Sequence, residues 1–324
     1  MLLGKVLIVR FSSLGDIVLT SLAVRCIKKQ TGARIHFMTK RQFSEILSAN
    51  PYIDKIWTID HSTDEIINDL KKENYDLIVD LHKNLRSLRL RISLFGVPSV
   101  TYFKANIAKW KAVYLKRFDF PKQPVALRYL EAVQKYNVLD DGEGLDYFIP
   151  DQDRLDVNAN FNIVKPFIAL VIGAMHFTKR IPLVKLSELI SLIDKQTPIV
   201  LIGGPAELEM SNQLKGSNIY NLCGKLNINQ SASILQQSYL VISPDTGMMH
   251  IAAALKKPIK SIWGSTLAEF GFWPFYGKNY SNLNTSFEVK DLECRPCSRF
   301  GLENCPKGHF KCMMNQDFTG IVGN

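Results

Sequence analysis

The stretch KVLIVRFSSLGDIVLTSL (5–22) joins a short apolar run to a turn of Ser, Ser, Leu and Gly and then to an amphipathic pattern. The same succession of apolar run, polar turn and helical pattern recurs along nearly all of the 324 residues. Continuous apolar strands alternating with helices are typical of parallel sheets covered on both faces. The pattern therefore predicts an α/β fold.

The alternation forms two series. The predicted strands are 5–11, 34–39, 55–60, 76–82, 100–103, 167–173, 198–204, 219–224, 239–244 and 259–264, and the predicted helices include 16–29, 63–73, 183–195, 206–215, 229–237 and 248–256. The alternation lapses over about 140–165, a polar stretch that we interpret as a linker. This predicts two doubly wound, Rossmann-like domains, 1–155 and 156–324, rather than one barrel. Their ligands are expected beyond the carboxyl ends of the strands, in a cleft that the domains face.

Composition indicates an ordinary globular protein, with 46% hydrophobic and 22% charged residues. No window approaches eighteen uninterrupted apolar residues, so we expect no membrane span. The beginning MLLGKVLIVRF shows no small-residue cleavage site, and we therefore expect a cytoplasmic protein rather than a secreted one.

The net charge of +10 is concentrated in one segment. Residues 83–128 hold eleven Lys or Arg and one acid, which leaves 29 basic and 29 acidic residues out of 40 and 30 elsewhere. One interpretation is a solvated helix face. The other is a surface for a polyanion: nucleic acid, anionic lipid or a phosphorylated glycolipid. Charge alone does not distinguish them.

Asp16 follows the first predicted strand and enters the first turn of the next helix. One interpretation is helix capping, since an acid there favours the helix dipole. The other is a general base at the edge of the cleft, which typically contributes about 10²–10⁴-fold in rate. The glycine spacing of a dinucleotide fingerprint is missing from this turn.

Two further turns follow strands of the second half. Lys179 and Arg180, in GAMHFTKRIP (173–182), are either a surface pair or cations that neutralise a diphosphate leaving group without a metal. Glu207, in GGPAELE (203–209), either caps a helix or accepts hydrogen bonds from a ribose.

The stretch SPDTGMMH (243–250) contains several groups that suit an anionic ligand. Gly247 permits close backbone approach, and the helix that follows offers free N–H groups to phosphate oxygens. Thr246 adds a hydroxyl, and His250 lies about one turn further on. Asp245 could orient the loop or a sugar hydroxyl.

Four of the six cysteines lie close together near the end of the chain, at Cys294, Cys297, Cys305 and Cys312. In a cytosolic protein this spacing suits structural zinc better than disulfides. A reduced, metal-free tail is the alternative. Either way we expect a structural role, with no catalytic metal.

Taken together, FSSLGDIVLT, GAMHFTKRIP, GGPAE, SPDTGMMHIAAAL, IWGST (262–266) and the cysteine-rich tail resemble the bacterial heptosyltransferases of glycosyltransferase family 9, over about residues 4–315. The resemblance implies a GT-B fold, with the acceptor on the N-terminal domain and the nucleotide sugar on the C-terminal one. It also implies inverting, metal-independent transfer of heptose from ADP-L-glycero-D-manno-heptose to the lipopolysaccharide inner core, with no required cofactor.

The resemblance assigns roles to particular residues. Asp16 matches the catalytic base and Lys179 the cation beside the diphosphate. The donor residues are Glu207, Leu226, Asp245, Thr246, Gly247 and His250, with Leu226 at the adenine contact, and the expected acceptor residues are Ser13, Lys83 and Arg86.

The implied partners are the donor, a phosphorylated glycolipid acceptor and the cytoplasmic face of the inner membrane of a Gram-negative bacterium, with no nucleic acid. Two alternatives remain. The same fold could use another nucleotide sugar or another acceptor, or the chain could be a non-enzymatic polyanion-binding module. The last leaves the polar residues at the strand ends without a purpose.

Overall fold

The computed structural model describes residues 3–280 and 283–322, and its contacts divide the chain into two compact units. The first unit comprises the described residues up to Lys104, with Pro124–Pro150 and Gly277–Asn279. The second comprises Ala105–Gln123, Asp151–Tyr276 and the described residues from Tyr280 onward. The predicted boundary at 155/156 lies close to the division after Pro150. The sequence pattern did not predict that Ala105–Gln123 would belong to the second unit, or that Gly277–Asn279 would belong to the first.

The first unit is built on a five-stranded parallel sheet. Its strands are β1 (Lys5–Val9), β2 (Arg34–Lys40), β3 (Lys55–Ile59), β4 (Leu77–Asp80) and β5 (Ser99–Thr101). Their order is β3-β2-β1-β4-β5, and each neighbouring pair is parallel. Strand β1 is central and its last four residues are buried, because helices cover both faces of the sheet.

The second unit is built on a six-stranded parallel sheet. Its strands are β6 (Ile168–Val171), β7 (Ile199–Ile202), β8 (Ile219–Asn221), β9 (Leu240–Pro244), β10 (Ile259–Trp263) and β11 (Asn284–Glu288). Their order is β11-β10-β9-β6-β7-β8, again all parallel. The edge strand β11 was not predicted, because its sequence NTSFE has one large apolar residue and stays largely unburied.

The helices connect these strands. In chain order they are α1 (Leu14–Leu19), α2 (Ser21–Thr31), α3 (Ile67–Lys72), α4 (Leu85–Ser93), α5 (Asn106–Tyr114), α6 (Val125–Glu131), α7 (Val157–Phe161), α8 (Leu183–Ser191), α9 (Leu208–Ser211), α10 (Ile228–Gln237), α11 (Gly247–Ala254) and α12 (Lys311–Met314). Short 3₁₀ helices include Arg41–Leu47, Thr63–Glu65, Gln134–Tyr136, Asp151–Asp153, Phe177–Lys179, Pro205–Glu207, Ala268–Phe270 and Lys278–Tyr280. The predicted helix 16–29 is divided into α1 and α2 at Thr20.

The two units have separate apolar cores. In the first, Leu7 and Val9 pack with Leu90 of α4. In the second, Ile168 and Ile199 pack with residues as distant along the chain as Met313. Both sheets are open, with edge strands at each end. The predicted fold class, two doubly wound parallel-sheet α/β units rather than one barrel, is confirmed.

The segment containing α5 belongs to the second unit because of a third apolar cluster. Ala112 and Val113 on α5, with Phe120 after it, pack against Phe270. The ammonium of Lys109 lies 4.9 Å from the ring centre of Phe272. Among residues 3–280 and 283–322, no helix has the length and apolar character needed to cross a bilayer.

Candidate active site

Each sheet has one place where the strand order reverses, and open α/β sheets bind ligands there, beyond the carboxyl ends of the strands. In the first sheet the reversal lies between the neighbours β1 and β4. Ser13 and Asp16 follow β1, and Lys83 and Arg86 follow β4. The residues predicted as catalytic base and acceptor contacts therefore share one edge of the first sheet.

Asp16 lies in the first turn of α1, and its carboxylate is held from several sides. One oxygen, Oδ2, accepts hydrogen bonds from the Ser13 hydroxyl at 2.7 Å and from the Ser13 backbone N–H at 3.3 Å. The other, Oδ1, accepts one from the Tyr129 hydroxyl at 3.2 Å and lies 2.8 Å from Nη2 of Arg10. This geometry suits helix capping and also fixes the carboxylate in the way that a general base requires.

Arg10 and Tyr129 are buried behind Asp16, and sequence reasoning missed both. Burial favours a neutral guanidine, but the charge of Asp16 and the phenols of Tyr129 and Tyr102 hold the pKa of Arg10 above its usual range. Burial also raises the pKa of the Tyr129 phenol well above its ordinary value, so the phenol remains a donor. In the sequence, only the position of Arg10 at the end of an apolar run could have indicated it. Tyr129 is 113 residues from Asp16, and nothing in the sequence indicated it.

His82 and Lys104 add to the same edge. Burial, followed by the charges of Arg10 and Lys104, lowers the pKa of His82 to about 3, so its ring is neutral near pH 7. Burial, followed by the charge of Arg10, lowers the pKa of Lys104. Several cationic groups therefore lie close together at this edge. His82 does not add a further positive charge near pH 7, because its ring is neutral there.

Lys83 and Arg86 stand beside the start of α4. The ammonium of Lys83 donates a hydrogen bond to the Tyr102 carbonyl at 3.0 Å. The guanidinium of Arg86 lies 5.6 Å from the ring centre of Phe11, which precedes the Ser-Ser turn after β1. Arg86 therefore borders the segment that leads to Asp16, whereas Lys83 is directed towards the residues after β5.

In the second sheet the strand order reverses between β6 and β9, which are also neighbours. Lys179 follows β6, and Asp245 follows β9. The ammonium of Lys179 lies 2.7 Å from Oδ2 of Asp245, which also accepts a hydrogen bond from the Thr266 hydroxyl at 2.8 Å. Three loops of one sheet edge are thereby joined. Thr266, which follows β10 in the IWGST stretch, was not singled out from the sequence.

The start of α11 has the arrangement of an anion site. Thr246 precedes the helix in an extended conformation and makes no side-chain hydrogen bond to the helix amides. The first N–H groups of a helix, here from Gly247 onward, have no partner within the helix. His250, also in the first part of α11, is buried with its ring centre 6.5 Å from that of Phe272. The structure thus places Asp245, Thr246, Gly247 and His250 at one edge.

Glu207 is buried beside the loops that follow β6 and β7. Its Oε2 accepts the Gly204 N–H at 2.9 Å, as the capping interpretation predicts. A Cβ atom at Gly173 would lie 3.1 Å from the same oxygen, so Glu207 lies closely against the loop after β6. Leu226 is half-buried in the loop between β8 and α10, one strand further along the sheet.

The zinc interpretation of the tail receives no support from the structure. Cys294, Cys297, Cys305 and Cys312 are free thiols. In the part of the chain that the structure describes, no group of three or more His, Cys, Asp or Glu side chains is placed to hold a metal ion. Cys312 is buried in the core of the second unit, where its sulfur packs among apolar side chains. Packing therefore accounts for at least this cysteine.

Two open parallel α/β sheets with polar groups at their strand reversals match the GT-B architecture of two-domain glycosyltransferases. The model of "Glycosyltransferase family 9 (heptosyltransferase)" matches residues 64–301. The chain belongs to this family and is a glycosyltransferase.

Individual relatives agree with this membership. Lipopolysaccharide heptosyltransferase 1 of Campylobacter coli is 25% identical over 299 residues, which cover 81% of this chain and 84% of that protein. A solved glycosyltransferase family 9 structure from Veillonella parvula superposes with a TM-score of 0.73 at 20% identity, covering 90% of this chain and 88% of that one. The structure of E. coli heptosyltransferase WaaC with ADP gives a TM-score of 0.64 at 21% identity, covering 81% and 88%. At these identities the structures show a shared fold.

Proposed function

We propose that this chain transfers heptose from ADP-L-glycero-D-manno-heptose to the inner core of lipopolysaccharide, with inversion at the anomeric carbon. The family and the names of its relatives support the sugar and the acceptor. The similar E. coli structure that contains ADP supports the nucleotide. The observation that carries the reaction type is the carboxylate of Asp16, fixed by Ser13, Tyr129 and Arg10 at the strand reversal of the first sheet.

Asp16 is the proposed general base. As the acceptor hydroxyl oxygen forms its bond to the anomeric carbon, the hydroxyl proton passes to the Asp16 carboxylate. The bond between the anomeric carbon and the diphosphate oxygen breaks on the opposite side, and ADP leaves with the electron pair. A single displacement of this kind inverts the configuration. Ser13, Lys83 and Arg86 are the proposed contacts of the acceptor, whose anionic groups suit the two cations.

Lys179 and the start of α11 are the proposed diphosphate site. The ammonium of Lys179, oriented by Asp245, and the free N–H groups from Gly247 onward place positive charge where the leaving ADP becomes more negative. Thr246 and His250 belong to the same site. Glu207 is the proposed ribose contact, and Leu226 the proposed adenine contact. Because these groups supply the charge, we propose that the reaction needs no metal ion.

The proposed location is the inner face of the inner membrane, where a lipid-linked acceptor is made. The excess of positive charge in residues 83–128 supports it, because anionic lipid attracts such a segment. The chain would then act as a peripheral protein of a Gram-negative cell, in contact with the cytoplasm.

Incubation of the purified chain with ADP-heptose and truncated lipopolysaccharide acceptors tests the function. We expect ADP release that depends on one acceptor, continues in excess EDTA and yields a product of inverted anomeric configuration by NMR. The matched control is the same acceptor lacking the inner-core sugar that receives heptose. Release of UDP or GDP from their sugars at an equal or higher rate would contradict the donor assignment, and retention of configuration would contradict the single displacement.

A further inference from the structure

Helix α4 has an exposed apolar stripe. The exposed fractions are 85% for Leu85, 43% for Leu88, 65% for Ile92 and 96% for Phe95 just beyond the helix. Spacings of three and four residues place the first three on one side of α4. The opposite side of α4 packs on the first unit, where Leu90 and Leu94 are buried in the core. The stripe is therefore not part of this core. Exposed apolar residues grouped in this way mark an interaction surface.

Arginines flank the stripe. Arg86 and Arg89 lie one residue after Leu85 and Leu88, and Arg91 lies one residue before Ile92, so cations border the apolar side chains on both sides. Arg89 is 68% exposed although it lies 2.9 Å from Asp64. Arg91 is 29% exposed and is directed towards the buried Asp80, at 3.7 Å, and the hydroxyl of Ser99, at 3.0 Å. The helix itself contains no acidic residue.

We propose that α4 lies in the surface of an anionic phospholipid bilayer, with Leu85, Leu88, Ile92 and Phe95 among the acyl chains and Arg89 at the headgroups. An exposed helix with an apolar stripe and a cationic border is the form that interfacial helices take. A second copy of the chain is a poorer occupant, because two α4 surfaces would bring their arginines together. This proposal deepens the membrane location put forward above and does not depend on the transfer reaction.

The position of α4 connects the bilayer to the acceptor edge. The helix begins at Leu85, after a short loop from the end of β4 at Asp80, beside the strand reversal that carries Asp16. Its second residue, Arg86, packs over Phe11 in the segment that leads to Asp16. A bilayer in contact with Leu85 therefore lies next to the edge where a lipid-linked acceptor would present its sugar.

Vesicle binding of the whole chain, without any sugar donor, tests the proposal. The variant replaces Leu85, Leu88, Ile92 and Phe95 with Ser. The matched control replaces four comparably exposed apolar residues elsewhere, Leu139, Val164, Val184 and Leu192, with Ser. We expect the wild type and the control to sediment with vesicles of phosphatidylcholine and phosphatidylglycerol, and the α4 variant to bind at least about 10-fold more weakly. Vesicles of phosphatidylcholine alone should bind the wild type less.

A second measurement reports depth and does not depend on removing the stripe. Ile92→Trp should be quenched by brominated lipid more strongly than Val184→Trp, each compared with the unaltered chain. Arg89→Gln should weaken binding by about three- to fivefold at low salt.

Three results would overturn the proposal: equal binding by the α4 variant and the wild type, equal weakening in the matched control, or equal quenching at positions 92 and 184. A wild-type dimer that the α4 variant dissociates, without vesicle binding by either, would assign the stripe to self-association instead. Failure of sugar transfer with vesicle binding intact would affect only the proposed reaction.

Discussion

Each sheet edge contains a pair of a carboxylate and a cation, but the more exposed partner differs between the two edges. In the first unit the side chain of Asp16 is 18% exposed and that of its partner Arg10 is 8% exposed. In the second unit the side chain of Lys179 is 16% exposed and that of its partner Asp245 is 9% exposed. At the first edge the carboxylate is therefore the more exposed partner, and at the second edge the ammonium is.

The proposed reaction gives the two edges different tasks. A group that must take a proton has to be reachable, and the buried cation behind it holds it in place. A group that must neutralise a diphosphate has to be a reachable cation, and the buried carboxylate behind it, with the Thr266 hydroxyl, fixes its direction. The predictions below first alter the exposed member of each pair and then Tyr129 and His82 of the first edge.

The largest effect is expected from Asp16→Asn, which keeps the shape of the side chain but removes its charge. The turnover number, followed by ADP release, should fall by about 10²–10⁴-fold because the proton has no acceptor. ADP affinity, measured by calorimetry, should stay within about twofold, because the first edge does not hold the nucleotide. Asp69→Asn, an exposed acid of the same unit, is the matched control. Unchanged turnover in Asp16→Asn would show that the residue is only a helix cap.

The complementary change, Lys179→Ala, should act on the nucleotide. We expect ADP to bind about 10- to 100-fold more weakly, since a charge-assisted contact is worth about 1.5–3 kcal/mol. The ratio kcat/KM should fall about 10²-fold. Lys195→Ala, an exposed lysine of the same unit, should leave both quantities unchanged. An ADP affinity unaltered by Lys179→Ala would place the diphosphate elsewhere and remove the contrast between the edges.

The sequence predicted the residues of the second edge more completely than those of the first, for a physical reason. At the second edge Lys179, Asp245 and Thr246 lie in loops that directly follow apolar strands, so the parallel-sheet pattern was enough to place them together. At the first edge the family resemblance supplied Lys83 and Arg86, and the same rule placed Asp16. It could not find Tyr129, because that phenol reaches Asp16 from α6, outside the sheet, through packing of distant segments.

The fold was predicted on the same basis. Ten strands had apolar runs, because parallel strands buried on both faces need them. Strand β11 lies at the edge of its sheet and is half open to solvent, so its sequence needs no such run. The transfer of residues 105–123 to the second unit depends on Phe120 packing against Phe270, a contact between distant residues that no local pattern indicates.

A smaller effect is expected from Tyr129→Phe, which removes the hydroxyl that contacts Asp16 and leaves the ring. Such a hydrogen bond contributes about 0.5–1.5 kcal/mol net, so the turnover number should fall about two- to tenfold, with KM for the donor unchanged. Tyr129 acts through Asp16 and is a positioning residue. In the Asp16→Asn background the change should therefore have little further effect on turnover. Tyr136→Phe, a half-buried tyrosine of the same unit, is the control. Additive losses in the double variant would mean that Tyr129 acts independently of Asp16.

The smallest effect is a pH dependence of stability at the first edge. Burial and the neighbouring cations lower the pKa of His82 to about 3, whereas an unfolded histidine titrates near 6.5. Below about pH 6.5 the unfolded chain therefore binds a proton that the folded chain refuses, and stability falls as the pH drops from 6.5 towards 3. Comparison at pH 7 and pH 5 avoids carboxylates such as Glu73, whose pKa is held at about 2 by Lys5 and Lys55 and whose contribution is lost only below about pH 4.5.

His82→Asn should remove part of this dependence. Between pH 7 and pH 5 the melting temperature of the wild type should fall by a few degrees more than that of the variant. His36, whose pKa burial also lowers, contributes equally to both proteins and cancels in the comparison. His61→Asn, at an exposed histidine of the same unit, should behave as the wild type. An identical fall in His82→Asn and the wild type would show that burial and the charges of Arg10 and Lys104 do not keep the imidazole neutral in the folded chain.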